Sequence, residues 1–169
     1  MTENNITEYS TVEAKIRAIV SRMGDGVAYL FCNWAQANKE IDHIDKPTVV
    51  YVLPANGEMD FSFAQVKDCP ETLIAFVDVT EFDFHGQEND CIIEHMKRLA
   101  ALFVKTLNES GYFEQLEGRI PYRVLYDTFD KNVTGIVISP KLEEVEGIRL
   151  CDIIARIDDV TTIIDNDNE

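Results

Sequence analysis

The chain has 169 residues, 46% hydrophobic and 27% charged, a composition that folds around its own core and lies far from the disordered range. Thirty-one acidic against fifteen basic side chains leave a formal charge of −16, which repels a phosphate backbone and excludes tight binding to bare nucleic acid. Four cysteines stand singly at Cys32, Cys69, Cys91 and Cys151; this spacing excludes the close pairs of zinc and thioredoxin-type centres and makes buried reduced thiols the expectation.

Residues 1–10 are polar and acidic, and no apolar run approaches the ~18 residues of a membrane span. Neither a signal peptide nor a spanning helix is expected. The sequons Asn5-Ile6-Thr7 and Asn132-Val133-Thr134 matter only in a secretory lumen and carry no weight here.

Ser10-Thr11-Val12-Glu13 has the capping-box form, and Val12, Ile16, Ile19, Val20 and Met23 follow at helical spacing until Gly24, which predicts a first helix. Residues 27–32 are aromatic and β-branched enough for a strand, and residues 48–53 for a second; the polar stretch 33–46 between them reads as a loop or a ragged hairpin end. Pro54-Ala55-Asn56-Gly57 is a turn signal that predicts a hairpin into Met59, Phe61 and Phe63. Residues 73–79 form a short apolar run suited to a central strand buried on both faces. Across residues 88–110, Ile92, Met96, Leu99, Ala100, Phe103, Val104 and Leu107 keep one face, with Asn89 and Asp90 near the start and Gly111 as the stop. A long amphipathic helix follows.

Residues 122–129 and 133–138 alternate and face each other across Asp130-Lys131-Asn132, a hairpin pattern, and Pro140 ends the second strand. Residues 143–147 read as a polar turn and 148–151 as a last short strand. Beyond it Ile153, Ile154, Ile157, Val160, Ile163 and Ile164 precede an acidic end; the spacing fits a docking arm or a weak helix and is read as an arm. The order of elements gives an α+β fold, a mostly antiparallel or mixed β-sheet packed against one long amphipathic helix and a shorter N-terminal helix. Residues 1–151 are expected to form a single domain and 152–169 a C-terminal arm and acidic tail.

The sequence contains no P-loop, dinucleotide fingerprint, nucleophile elbow or zinc-binding His-Glu-x-x-His. The strongest chemical candidate is Glu81, Asp83 and His85, which project to one side of an extended segment while Phe82 and Phe84 project to the other. With Glu88 or Asp90 they form a donor set for Mn²⁺ or Mg²⁺. The same residues are explained more cheaply by two buried Phe side chains and a hydrated polar edge. Asp68-Cys69-Pro70 has no neighbouring cation in sequence to activate its thiol, and Trp34, Tyr29 and Phe31 lack the interleaved Lys or Arg of a base-stacking platform. No catalytic, cofactor-binding or metal site is therefore assigned, and the chain is expected not to be an enzyme.

Residues 47–53, residues 73–78 running into the 89–107 helix, residues 120–127 and residues 132–137 together resemble tail-terminator and tail-completion proteins of tailed phages, particularly neck proteins of phages infecting Bacteroidetes, crAss-like phages included. The polar stretch 33–46 and the C-terminal extension depart from the simplest version of that pattern. The resemblance implies a homo-oligomeric ring at the virion neck or tail. Its partners would be other neck, portal or tail proteins, and DNA would pass through the channel without specific binding. Such a protein is made in the bacterial host cytoplasm and meets no membrane. An acidic adaptor or DNA mimic that binds a basic partner protein is the alternative, and a metal-dependent enzyme built on Glu81, Asp83 and His85 a further one.

Overall fold

A computed structural model describes residues 11–80 and 87–151. Helix α1 (Val12–Arg22) starts where the Thr11 hydroxyl accepts the Ala14 N–H at 3.1 Å. The cap is thus Thr11, the Glu13 carboxylate meets Arg17 and accepts from the Tyr29 hydroxyl, and Ser10 of the expected box lies outside the described residues. Val12, Ile16, Ile19 and Val20 form its buried stripe.

Strand β1 (Ala28–Cys32) is followed by a second helix, α2 (Trp34–Ile41), and then by β2 (Thr48–Val52). The polar stretch is therefore neither a loop nor a hairpin end. Asn33 caps the helix by accepting the Gln36 N–H at 2.9 Å, and the Gln36 side chain accepts from the Asn33 N–H. This reciprocal capping box, with Ala37 and Ile41 buried one turn apart, makes a helical crossover that allows β1 and β2 to run parallel. A tight hairpin would have forced them antiparallel.

The remaining strands of the main sheet are β5 (Leu73–Val79), β6 (Tyr122–Thr128) and β7 (Val133–Ile138), in the order β1-β2-β5-β7-β6, with every pair after the first antiparallel. The sheet is mixed and β5 is its middle strand, as the apolar run predicts. Ile74 and Phe76 face one core, which Val49, Tyr51, Ile136 and Ile138 share with α1 and the long helix α3 (Gln87–Ser110). Ala75 and Val77 face the other, completed by Val50, Val52, Val137 and the apolar side of α2. Gly111, at φ +73°, ends α3 in the left-handed conformation that suits glycine.

The expected hairpin after Pro54 does not form. Strand β2 is buried along its whole length between β1 and β5, so it has no edge left to pair. Instead β3 (Gly57–Asp60) turns back on β4 (Gln65–Pro70), and β4 pairs in turn with β8 (Ile148–Arg149) in a separate three-stranded sheet. The last strand is shorter than the expected 148–151, since Leu150 and Cys151 have left strand geometry.

Candidate interaction surface

Two buried polar constellations hold the fold, and neither leaves a side chain without a bond. In the first, Lys15 on α1 pairs with Glu144 at 2.5 Å while the other Glu144 oxygen accepts the Asp68 N–H of β4 at 2.8 Å. The Lys15 ammonium also lies 5.9 Å from the centre of the Phe113 ring. In the second, Asn89 in the first turn of α3 accepts from the hydroxyls of Thr80 and Thr134 at 3.1 and 2.9 Å, and its amide donates to Asp127 at 3.4 Å. This ties the helix start to β7 and to the bulge of β6. Every buried side-chain nitrogen or oxygen among the described residues has a hydrogen-bond partner.

Glu81, Asp83 and His85 lie outside the described residues. Glu88 and Asp90 sit exposed in the first turn of α3, where carboxylates complement the helix dipole. Among the described residues, no three His, Cys, Asp or Glu side chains come together as a metal site would require. The expectation of buried thiols holds for Cys32 alone, since Cys69 is half-buried and Cys91 and Cys151 are exposed. Burial, followed by the charges of Glu143, Asp60, Asp68 and Glu144, pushes the Cys69 thiol up; this leaves it mostly protonated and a poor nucleophile at neutral pH. The aromatic set around Trp34 is divided by the fold. Trp34 leans on Phe129 at 6.0 Å and Phe31 stacks on Tyr51 at 5.1 Å, while burial and the carboxylate of Glu13 push the Tyr29 phenol far up.

The surface has more to offer than the interior. The β3–β4 connection is a flap on which Met59, Phe61 and Phe63 all stand in solvent, Phe63 at 94% exposure. Phe63 and Ala64 both have φ of +57°, a left-handed conformation that costs a bulky side chain energy. Asp60 braces the turn by accepting from both the backbone N–H and the hydroxyl of Ser62. Sequence alternation correctly put these three apolar residues in one segment. The pattern alone does not tell which side of the chain is covered, and here all three stand exposed.

A groove opens elsewhere, between α3 and the edge strand β6, with a volume of about 630 Å³. It exists because α1 and α3 do not cover the β6 side of the sheet. Ala101, Val104, Ile120, Tyr122 and Ile136 give it an apolar lining. Two lysines of α3 stand at its wall: Lys97 lies 2.6 Å from Glu94 and 5.3 Å from the centre of the Tyr122 ring, and Lys105 makes a loose 3.8 Å pair with Glu109. No sequence pattern marks this groove, because it is defined by how far α1 and α3, among the described residues, leave β6 uncovered.

Among the described residues, no helix is long and apolar enough to cross a membrane. Compared with known protein families, characterised proteins and solved structures, the chain matches none.

Proposed function

We propose that this chain is a non-enzymatic structural subunit that assembles with copies of itself into a ring, of the kind stacked between portal and tail at the neck of a tailed phage. The observation that carries assembly is the flap. Three large apolar side chains on one exposed hairpin, Met59, Phe61 and Phe63, form the sort of surface that marks a protein contact. A left-handed Phe at its tip is strain that a bound partner repays. The phage assignment rests on the resemblance of residues 47–53, 73–78, 120–127 and 132–137 to neck and tail-terminator proteins. The formal charge of −16 suits a ring through which DNA slides without phosphate contacts. In this reading the protein resides at the virion neck or tail and touches portal or tail proteins on either side.

Sedimentation velocity and native mass spectrometry of the purified chain, together with proteomics of phage particles, test the proposal. Cyclic oligomers, or the chain incorporated in particles, support it. A chain that stays monomeric and occurs in no particle sinks it. The same negative charge favours a second reading, an acidic adaptor for a basic protein; a salt-sensitive complex with a basic partner, formed by a strictly monomeric chain, would select that one.

A further inference from the structure

We infer that the tip of the β3–β4 flap inserts into the α3–β6 groove of a second copy, so that the assembly contact is head-to-tail. This rests on the self-assembly reading above and names the two surfaces that meet.

The chain offers a knob and a hole that do not fill one another. Phe63 is 94% exposed, so it is not seated in its own groove. The flap belongs to the small sheet, whereas the groove is walled by α3 and by β6 at the far edge of the main sheet. Phe61 and Phe63 are two aromatic anchors on a short turn, and the groove is an apolar cleft of the volume that bound side chains or ligands of that kind occupy. Rigid aromatic anchors in a pocket dominate the energetics of protein contacts.

The charges match as well. Glu58 and Asp60 flank the apolar tip in sequence, and Lys97 and Lys105 stand at the groove. Each lysine already has a partner on its own helix, Lys97 in Glu94 at 2.6 Å and Lys105 in Glu109 at 3.8 Å, and both pairs are exposed enough to share a further carboxylate. Docking brings carboxylates of one copy to lysines of the next on a molecule whose overall charge otherwise drives copies apart.

A contact between two different surfaces of the same chain is heterologous. It repeats from copy to copy, and closes into a ring when the rotation per step divides the circle. An isologous contact, flap to flap or groove to groove, would stop at two copies. The knob-and-hole arrangement therefore leads to the kind of assembly the proposed function requires.

Two full-length variants test it, both at exposed positions: Phe63→Glu removes the knob and keeps the groove, while Ala101→Glu blocks the groove and keeps the knob. Circular dichroism establishes that each is folded, and native mass spectrometry reads the assembly. The wild-type chain is expected to form closed oligomers, and each variant alone to lose at least tenfold in self-affinity and run as a monomer. An equimolar mixture of the two should then give one-to-one pairs and nothing larger, because only one intact knob and one intact hole remain between them. If either variant assembles like the wild type, the contact is wrong while self-assembly stands. A mixture that stays monomeric also overturns it, since the two surfaces then do not meet. A wild-type chain that remains monomeric refutes self-assembly itself. Carbodiimide cross-links from Lys97 or Lys105 to acidic residues in 152–169 would assign the groove to the chain's own C-terminal segment and likewise overturn the inference.

Discussion

Removing the Lys15 ammonium should cost this protein more than any surface charge change. The pair it forms with Glu144 is nearly dry, with Lys15 8% and Glu144 4% exposed and 2.5 Å between the charged atoms. The Lys15→Met variant keeps the aliphatic length but leaves a buried carboxylate held by a single N–H, that of Asp68. Breaking one side of such a pair costs about 3–5 kcal/mol, because the remaining charge is uncompensated. At about 2–4 °C per kcal/mol for a chain of this size, the melting temperature should fall by roughly 6–20 °C. The double variant Lys15→Met/Glu144→Gln removes both charges while the amide oxygen still accepts from Asp68. It should lose no more than about 2 kcal/mol, giving a coupling energy of the size seen for residues in contact. Urea denaturation of the four proteins of this cycle, repeated at low and high salt, supplies the measurement. A Lys15→Met loss below about 1 kcal/mol, or one that salt abolishes, would place the pair among solvated surface ion pairs and refute the reasoning.

Three further outcomes follow from the packing and the titrating groups. At Gly135 a Cβ would run into the backbone of Phe76 on the neighbouring strand, so Gly135→Ala should destabilise by several kcal/mol, about the cost of overpacking a core strand, as read from thermal melts. The Lys131 ammonium donates to the carbonyls of Ile41, Asp42 and Ile44 at the end of α2, at 3.4, 3.2 and 3.0 Å. Lys131→Met should therefore cost about 1–2 kcal/mol, with amide exchange quickening in α2 and not in α3. Burial, then the charges of Asp68 and Glu13, push the Tyr51 phenol up to about 12, and Tyr29 is shifted in the same direction. An unfolded phenol titrates near 10, so above that pH the unfolded chain binds fewer protons than the native one and stability falls as pH rises. The loss should begin near pH 10 at up to ~1.4 kcal/mol per pH unit for each phenol. Denaturation midpoints that stay level through pH 11, or that fall equally steeply in Tyr51→Phe, would contradict it.

The elements most legible in the sequence are those whose periodicity and boundaries agree. Helix α3 declares itself through Met96, Leu99, Phe103 and Leu107 and stops at Gly111; β5 declares itself as a continuous apolar run, and it is the middle strand. Helix α2 is hard to see because its apolar side is short, Ala37 and Ile41 buried with Trp34 partly covered at its start, too little surface for a sustained period. The informative signal was the Asn33 and Gln36 pair at capping-box spacing, three residues apart. Missing it also concealed the parallel pairing of β1 and β2, since that pairing needs a crossover. The exposure of the flap is not legible in the sequence for a different reason. Alternation tells which residues share a face of a strand, and says nothing of whether that face is covered. Met59, Phe61 and Phe63 therefore look the same in sequence whether they build a core or reach for a partner. The Lys15–Glu144 pair joins residues 129 apart in the chain, and no local pattern announces such a contact.

Strand β6 also constrains how a neighbour can approach. An edge strand ordinarily invites another strand to add through its free N–H and C=O groups, but β6 is interrupted by a bulge between Leu125 and Thr128, with Asp127 at φ +41°. A bulge bends and twists an edge so that a regular ladder cannot extend along it. The bulge is fixed from behind: Thr134 accepts the Asp127 N–H at 3.3 Å, and Asn89 holds the Asp127 carboxylate. The turn beyond it is clamped to α2, where Asn38 and Asp130 exchange hydrogen bonds of 2.9 Å. What β6 still presents, among the described residues, is its side-chain face toward α3, where Tyr122 lines the groove. A partner meeting this edge is steered away from strand addition and toward insertion of side chains, which is the form of contact that the aromatic tip of the flap supplies.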